Sequence, residues 1–315
     1  MTHPNDPRGG GAPATTSPHP AATAPHPVAT APHPLDNAVW SALTGPHAHL
    51  ADRLGRAARY PADVYAFAAL DDPADPAAWT DLHRLAGPAT AVRVKPVDAV
   101  PGGWEPIREG YGVQLVATSL RAEPDPEAVR LGPDDVPEIL DLVARTRPGP
   151  YLKRTILLGT YLGIRHEGRL IALAGERLKP PGWTEISAVC TDPAHRGRGL
   201  ATRLIRAVAA GIRERGDTPF LHAAADNANA IRLYESIGFE LRRSSRIVEV
   251  RTPARPAPPA TGAADRQADR PDAGPAAGLA TGPAVGLAVE PAESISHKSS
   301  RNSGKSGTRR ETGPL

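Results

Sequence analysis

The sequence predicts a mixed α/β fold, a sheet with helices on its faces, and three observations carry that reading. Between residues 127 and 250, strand-like and amphipathic helix-like runs follow one another in the order β-α-α-β-β-β-α-β-α-β. Within that order the strand-like run "WTEISAVCT" passes through the turn "RGRG" directly into a helix-like run that begins at Leu200. Both ends of the chain, by contrast, are made of residues that cannot bury enough apolar surface to form a core.

Residues 1–34 carry a period-seven repeat, "PHPAATA", "PHPVATA" and then "PHPLDNA", which reads as an extended, solvated arm. His19, His26 and His33 recur there without neighbouring groups to orient them, so they are read as tail rather than as metal ligands. Residues 251–315 are mostly Ala, Pro, Gly and Ser with scattered charge, and disorder is expected. That tail holds nine Lys or Arg against six Asp or Glu, a net of +3 that equals the net charge of the whole chain. The central body is therefore near neutral, which argues against nucleic acid as its main partner. No apolar run is long enough to span a membrane and no signal pattern opens the chain, so a soluble, cytoplasmic protein is expected. Its single cysteine, Cys190, excludes an intrachain disulfide and a cysteine-based zinc site, and no metal is expected.

The stretch "RAEPDPEA" at 121–128 divides the body into two segments. In the first, about 35–122, "HAHLADRLGRAARY" and "AAWTDLHRLA" read as helices, and "AFAAL", "TAVRV" and "GVQLVAT" as strands. Asp63, Asp71, Asp72 and Asp75 stand among prolines there and are read as turn and cap residues. In the second, about 127–250, "AVRL" is a strand and "GPDDVPEILDLVART" a helix with an acidic first turn. "YLKRTILL" is expected to be a second helix, "TYLGIRHEGRLIALAGERL" a hairpin turning at His166-Glu167-Gly168, and "WTEISAVCT" the next strand. From Leu200 apolar residues recur at Leu204, Val208 and Ile212, the spacing of a buried helix face, until Gly216 stops it. A strand "TPFLHAAA", a helix "NANAIRLYESIG" and closing strands in "FELRRSSRIVEV" complete the order.

The turn at 196–201 has the physical makings of an anion site. Glycines allow close backbone approach, and the first N–H groups of the helix point outward at the positive end of its dipole. Arginines at the rim can add charge-assisted bonds. From these six residues alone, a pyrophosphate cradle and a plain strand-to-helix turn with solvated arginines weigh evenly.

The balance tips with "NANAIRLYESIGF", where Asn227 and Tyr234 lie seven apart and so near one helix face. Here the chain resembles the GNAT superfamily of acyl-CoA-dependent N-acetyltransferases over about 127–250. Arg196 to Ala201 match that family's Gln/Arg-x-x-Gly-x-Gly/Ala phosphate motif, with Ala in the last place. Asn227, Ala230, Leu233, Tyr234, Gly238 and Phe239 match its later Asn-x-x-Ala-x-x-Leu-Tyr-x-x-x-Gly-Phe motif. The resemblance implies a GNAT-like mixed sheet flanked by helices. In some relatives, such as the glycine N-acyltransferase-like branch, a degenerate half without the phosphate motif precedes the active domain, and the resemblance offers that reading for residues 35–122.

The same resemblance implies acetyl-CoA as acyl donor and an amine of a small molecule or peptide as acceptor. The backbone of Val189, Cys190 and Thr191 would follow the pantetheine arm and steady the thioester oxygen. Arg196, Gly197, Arg198, Gly199, Leu200, Ala201 and Thr202 would hold the pyrophosphate, mainly through backbone N–H groups, and Asn227 would hydrogen-bond the donor. Tyr234 would protonate the departing thiolate. For the base there are two candidates: Glu185 on the strand before the turn, where several family members keep a glutamate, and His222 five residues before Asn227, which departs from the acid other members place there. The loop "RTRPGPYLKRT" at 145–155 is expected near the acceptor, its Arg145, Arg147, Lys153 and Arg154 hinting at an acceptor carboxylate. A non-catalytic acyl-CoA-binding sensor or partner module of the same fold is the alternative reading.

Overall fold

A computed structural model of the protein describes residues 32–254; most of the proline-rich arm and the tail after 254, for both of which disorder is expected, lie outside the described residues. Before the acidic stretch come α1 (Ala38–Leu43), β1 (Asp52–Leu54), β2 (Ala57–Arg59), β3 (Phe67–Leu70), α2 (Pro76–Ala86), β4 (Ala91–Val94) and β5 (Glu105–Ala117). After it come β6 (Val129–Leu131), α3 (Val136–Thr146), β7 (Tyr161–His166), β8 (Arg169–Glu176), β9 (Trp183–Thr191), α4 (Leu200–Glu214), β10 (Thr218–Ala224), α5 (Ala228–Ser236) and β11 (Phe239–Arg251).

These strands make one 11-stranded sheet in the order β1-β2-β3-β4-β11-β5-β10-β9-β8-β7-β6. Its parallel neighbours are β3 with β4 and β9 with β10, and each pair is joined by a helix, α2 or α4, as a parallel crossover requires. The two segments expected from the sequence therefore do not form separate sheets. β5, from the first segment, runs antiparallel between β10 and β11 of the second. The stretch at 121–128 is a connection within one body, and the described residues from His33 onward belong to one unit.

Helices cover both faces of the sheet. α4 follows the periodicity expected for it and buries Leu200, Leu204, Ile205, Val208 and Ile212 against Ile186, Leu221 and Leu115, with Tyr234 of α5 in the same cluster. Each such side chain contributes about 1.5–3 kcal/mol through burial. On the opposite face α1 packs Val39, Ala42 and Leu43 against Tyr65, Phe67, Phe220 and Ile247. α3 lays Ile139 and Leu142 over Leu173 and Cys190, and α2 packs Trp79 and Leu82 over Val92, Val94 and Val248. The second β-α-β unit, around α2, has no glycine turn. Asp75 caps α2 with its own carboxylate, accepting the Ala77 N–H at 2.8 Å, and Asp75 also pairs with Arg56.

Two expected helices are absent. "HAHLADRLGRAARY" forms a short 3-10 turn at 48–50 and then the β1–β2 hairpin, which turns at Gly55 with φ +52°. Arg56 explains the change, because its N–H donates to Asp81 at 3.0 Å and its guanidinium clasps Asp71. Adjacent Ala57 and Ala58 are both fully buried, in clusters on opposite faces, which suits a strand and not a helix. "YLKRTILL" reduces to a 3-10 turn at Thr155–Leu158. Thr155 Oγ1 accepts the Leu152 N–H at 2.8 Å and donates to Val64 O at 2.7 Å, while the Arg154 N–H donates to Asp63 O at 2.9 Å, so the first segment pins this stretch. The closing strands are one strand, β11, of 13 residues with two register shifts against β5.

Two consequences are measurable. Gly238 has φ +105°, and a Cβ there would stand 2.4 Å from the Leu120 backbone nitrogen. Gly238→Ala is therefore expected to lower unfolding free energy by about 2–4 kcal/mol in urea titrations. His47 is buried between Tyr60 Oη at 2.9 Å and Leu158 O at 3.2 Å. Burial, aided by the Lys179 charge, pulls its pKa from 6.5 down to about 4. Between those values the unfolded chain takes up a proton that the folded chain refuses. The contribution is complete above pH 6.5 and is lost as pH falls towards 4, with a slope of up to about 1.4 kcal/mol per pH unit that His47→Gln should remove.

Candidate active site

The site begins where two parallel strands part. β9 and β10 are paired from Trp183 and Thr218 as far as Ile186 and Leu221, and no further. Beyond that point β9 stays with β8, Cys190 facing Leu173, and β10 stays with β5, His222 facing Gln114. The cause lies in β9, where three steps from Ser187 to Cys190 oppose two from Gly175 to Leu173. Ala188 takes up the extra residue at φ +55°, a bulge that turns the strand away from its neighbour.

The expected donor-side residues line the run out of this opening. Val189 is half-buried, while Cys190 and Thr191 are buried. The Cys190 thiol sits in the α3 core, where burial pushes it up to about 12, so it is a packing group and not a nucleophile. Thr191 Oγ1 is buried with no hydrogen-bond partner among the described residues. Asp192 then caps a 3-10 turn by accepting the Ala194 N–H at 3.0 Å, and Arg145 holds it at 3.1 Å. Gly197 and Gly199 follow with φ +78° and +70°, and a Cβ on either would meet nothing within 4 Å, so the turn is an open cradle at the start of α4. Leu200, Ala201 and Thr202 form the first turn of that helix. At the rim, Arg196 Nε reaches Thr191 O at 3.4 Å and Arg198 reaches His195 Nδ1 at 3.0 Å.

The two faces at the point of parting differ in character. On the α5 face Tyr234 is buried with Ile186, Leu221 and Phe239, and burial holds its phenol above the usual range. Asn227 caps α5, its Oδ1 accepting the Ala230 N–H at 3.1 Å. On the α1 face lies a polar cluster of which the sequence indicated only Glu185 and His222. Glu185 is 0% exposed and takes two bonds from Arg177, at 2.9 Å from Nε and 2.6 Å from Nη2. Its Oε1 also meets His222 Nδ1 at 2.6 Å. His222 Nε2 lies 3.2 Å from Gln114 Nε2.

This network fixes every proton. Gln114 Oε1 accepts from Arg242 at 2.9 Å, so its nitrogen is the donor, one hydrogen going to Leu35 O at 3.1 Å and the other facing His222. His222 therefore carries its proton on Nδ1, donated to Glu185, and presents a lone pair at Nε2. Burial, with the nearby Lys95 charge, pulls His222 down to about 4 against the opposing pull of Glu185. Burial alone would raise Glu185, but the Arg177 guanidinium and His222 hold it well below the usual carboxylate range. Glu185 is thus held as an anion, and burial keeps His222 neutral.

Arg177, Gln114 and Lys95 were missed from the sequence, although a glutamine inside the apolar run "GVQLVA" and a charged pair inside "AGERL" are the signals that mark them. Of the basic residues in the 145–155 loop, Arg145 binds Asp141 and Asp192, and Arg154 reaches Asp63 at 3.4 Å. The hydroxyls of Tyr65, Tyr151 and Tyr161 are buried without partners among the described residues, and Arg177 lies 5.2 Å over the Tyr65 ring. Among the described residues no group of His, Cys, Asp and Glu is placed to hold a metal ion, and no helix is long and apolar enough to cross a membrane.

The model of a family described as FR47-like protein matches residues 161–248, which run from β7 into β11. N-alpha-acetyltransferase RimI of Mycobacterium tuberculosis is 39% identical over 83 residues, 25% of this chain and 51% of that protein. Mycothiol acetyltransferase of Brachybacterium faecium is 39% identical over 103 residues, 28% of this chain and 30% of that protein. The chain thus spans about half the length of the first curated relative and under a third of the second. A solved structure from Novosphingobium aromaticivorans, described as an acetyltransferase of the GNAT family, is 42% identical with a TM-score of 0.64, covering 70% of this chain and 98% of its own. With that identity over nearly the whole of the solved chain, and with the parted strands and glycine turn in place, the chain belongs to the GNAT superfamily of acetyltransferases.

Proposed function

We propose that the chain transfers an acetyl group from acetyl-CoA directly to an amine of a small molecule or peptide. The observation that carries this reading is the opening between β9 and β10, flanked by a glycine cradle at a helix start and by a buried neutral histidine. Both curated relatives described above are named as acetyltransferases, which supports the acetyl group. Acetyl-CoA, when bound, supplies a thioester whose acetyl group an amine can take as the thiol leaves.

The residues fit such a donor. The cradle has space that any Cβ at Gly197 or Gly199 would fill, and the first N–H groups of α4 meet it at the positive end of the helix. In this reading the amides of Gly197 to Thr202 hold the pyrophosphate with Arg196 and Arg198 at the rim, and the backbone of Val189, Cys190 and Thr191 lies along the opening. The buried Thr191 Oγ1 is a ready hydrogen-bonding group there. Asn227 offers its side-chain N–H groups, since its oxygen serves as the cap. Tyr234, kept protonated by burial, gives its proton to the leaving thiolate, which departs as the thiol.

Proton removal from the attacking amine falls to His222 rather than Glu185. Glu185 has its oxygens occupied by Arg177 and His222, so neither is open to an incoming amine. His222 Nε2 carries its lone pair towards the Gln114 N–H, the group that an amine or a bridging water replaces.

Calorimetry should detect acetyl-CoA binding. Gly199→Val, which puts a branched residue at φ +70°, should weaken it about tenfold or more, and Arg198→Ala about fivefold or less. The reverse ranking would move the pyrophosphate from the amides to the arginines, and no binding at all would end this reading. His222→Gln should lower kcat by about 10²–10⁴-fold. Because His222 stays neutral above about 4, the wild-type rate should climb with pH as the acceptor amine deprotonates, with no break near 6.5. A break there that the variant abolishes would show that His222 titrates during turnover.

A further inference from the structure

The α1 side of the opening holds a group that the reaction above does not use. His222 and Gln114 share a small cavity with Lys95, Asp36, Arg243 and Ser245. Lys95, just after β4, is 6% exposed, and its ammonium lies 5.1 Å over the Phe67 ring. Among the described residues no carboxylate forms an ion pair with it, and the anion whose charge it feels, Glu185, is already engaged by Arg177 and His222. Burial pulls it down to about 8, which still leaves it largely charged near neutral pH. Its charge is close enough to His222 to oppose protonation of the imidazole. A buried cation without an anion is unfavourable by itself, and its persistence beside the catalytic opening marks a place that an anion completes.

The nearest carboxylate on the cavity wall is Asp36. Arg242 bonds it at 2.6 Å and Arg243 at 3.3 Å, yet its side chain is 45% exposed and can turn outward. The cavity has a volume of about 10 Å³, the space of about one water, so a carboxylate enters only as the Asp36 side chain leaves it. Pro96 and Arg243 also line a second cavity of about 390 Å³, walled by Pro73, Pro76, Trp79 and Val97, which is large and apolar enough for the body of a small molecule.

We propose that Lys95 and Arg243 receive the carboxylate of a small amino-acid acceptor, whose amine points to His222, whose remaining atoms lie in the larger cavity, and whose place at the arginines Asp36 holds in the free chain. The proposal rests on the acetyl transfer inferred above and specifies its acceptor. An α-amine and its carboxylate are one carbon apart, which matches a base and a cation that share one small cavity. The acceptor nitrogen forms a bond to the acetyl carbon, the carbon–sulfur bond breaks, and the amine proton passes to His222. Lys95 is thus a specificity-determining residue, and Asp36 is an internal competitor.

The test uses the full chain with saturating acetyl-CoA and a panel of L-amino acids, each paired with its carboxamide, with release of the CoA thiol as readout. Within the preferred pair the acid should exceed the amide in kcat/KM by tenfold or more. Lys95→Met should raise KM for the acid at least tenfold and bring the acid-to-amide ratio close to one, whereas Lys95→Arg should keep a preference for the acid. Asp36→Asn should lower KM for the acid. As a second measurement, the N-acetyl form of the preferred acid should raise the melting temperature of the wild type and not of Lys95→Met, which separates lost recognition from lost folding. Equal rates for acids and amides, a peptide preferred over every amino acid, or an equal loss for both members of the pair in Lys95→Met would overturn the proposal while leaving acetyl transfer standing. Failure to bind acetyl-CoA in calorimetry would instead remove the reading on which it rests.

Discussion

A carboxylate with no exposure to solvent holds this site together. Taking Glu185 out of water is unfavourable by several kcal/mol, and only a close, well-directed set of donors offsets that. Arg177 supplies two bonds and His222 a third. Because the anion must be satisfied from both sides, the histidine has no choice of tautomer, and the chemical character of its free nitrogen follows. The guanidinium that satisfies Glu185 is itself seated on the Tyr65 ring, which belongs to the first segment of the chain. One buried charge thus ties the reactive end of β10 to β8, β9 and the region before β3.

That dependence reaches across the whole sheet. His222 is held through Gln114 of β5 as well as through Glu185, and Gln114 in turn is held by Arg242 of β11 and by Leu35. The second β-α-β unit sharpens the contrast. α2 starts on Asp75, which answers its own N–H groups and presents negative charge, whereas α4 starts on a glycine in an open turn. Two units of similar order therefore differ in how the helix begins, one on a carboxylate cap and the other on a glycine at φ +70°.

Much of this was legible in the sequence, and what was hidden had physical reasons. The Leu200 to Ile212 spacing and the glycines around it described α4 and its cradle because those signals are local. Strands around Cys190 and His222 were legible as well, but the parting of β9 from β10 was not, since it depends on one residue at φ +55° whose bulge is visible only against a partner strand. The helix expected at 47–60 failed because Ala-rich strands and Ala-rich helices look alike until a distant carboxylate, Asp81, fixes the turn. Glu185 and His222 were recognisable as chemical residues; that Glu185 is held as an anion follows from Arg177, eight positions away and just past the end of the neighbouring strand. Lys95 carried no motif at all.

The position of β5 has a further consequence, for how the chain comes to have a site at all. Its 13 residues supply hydrogen-bonding partners to β10 on one side and β11 on the other. A chain in which β10 and β11 had formed without it would present two bare edges, each a template for a neighbouring molecule. The pairing partners of β5 are over a hundred positions away in sequence, so the loop that must close is long and its closure slow. The first segment is thus built into the sheet and is no appendage to it, because the edges of β10 and β11 that face each other are both closed by its strand.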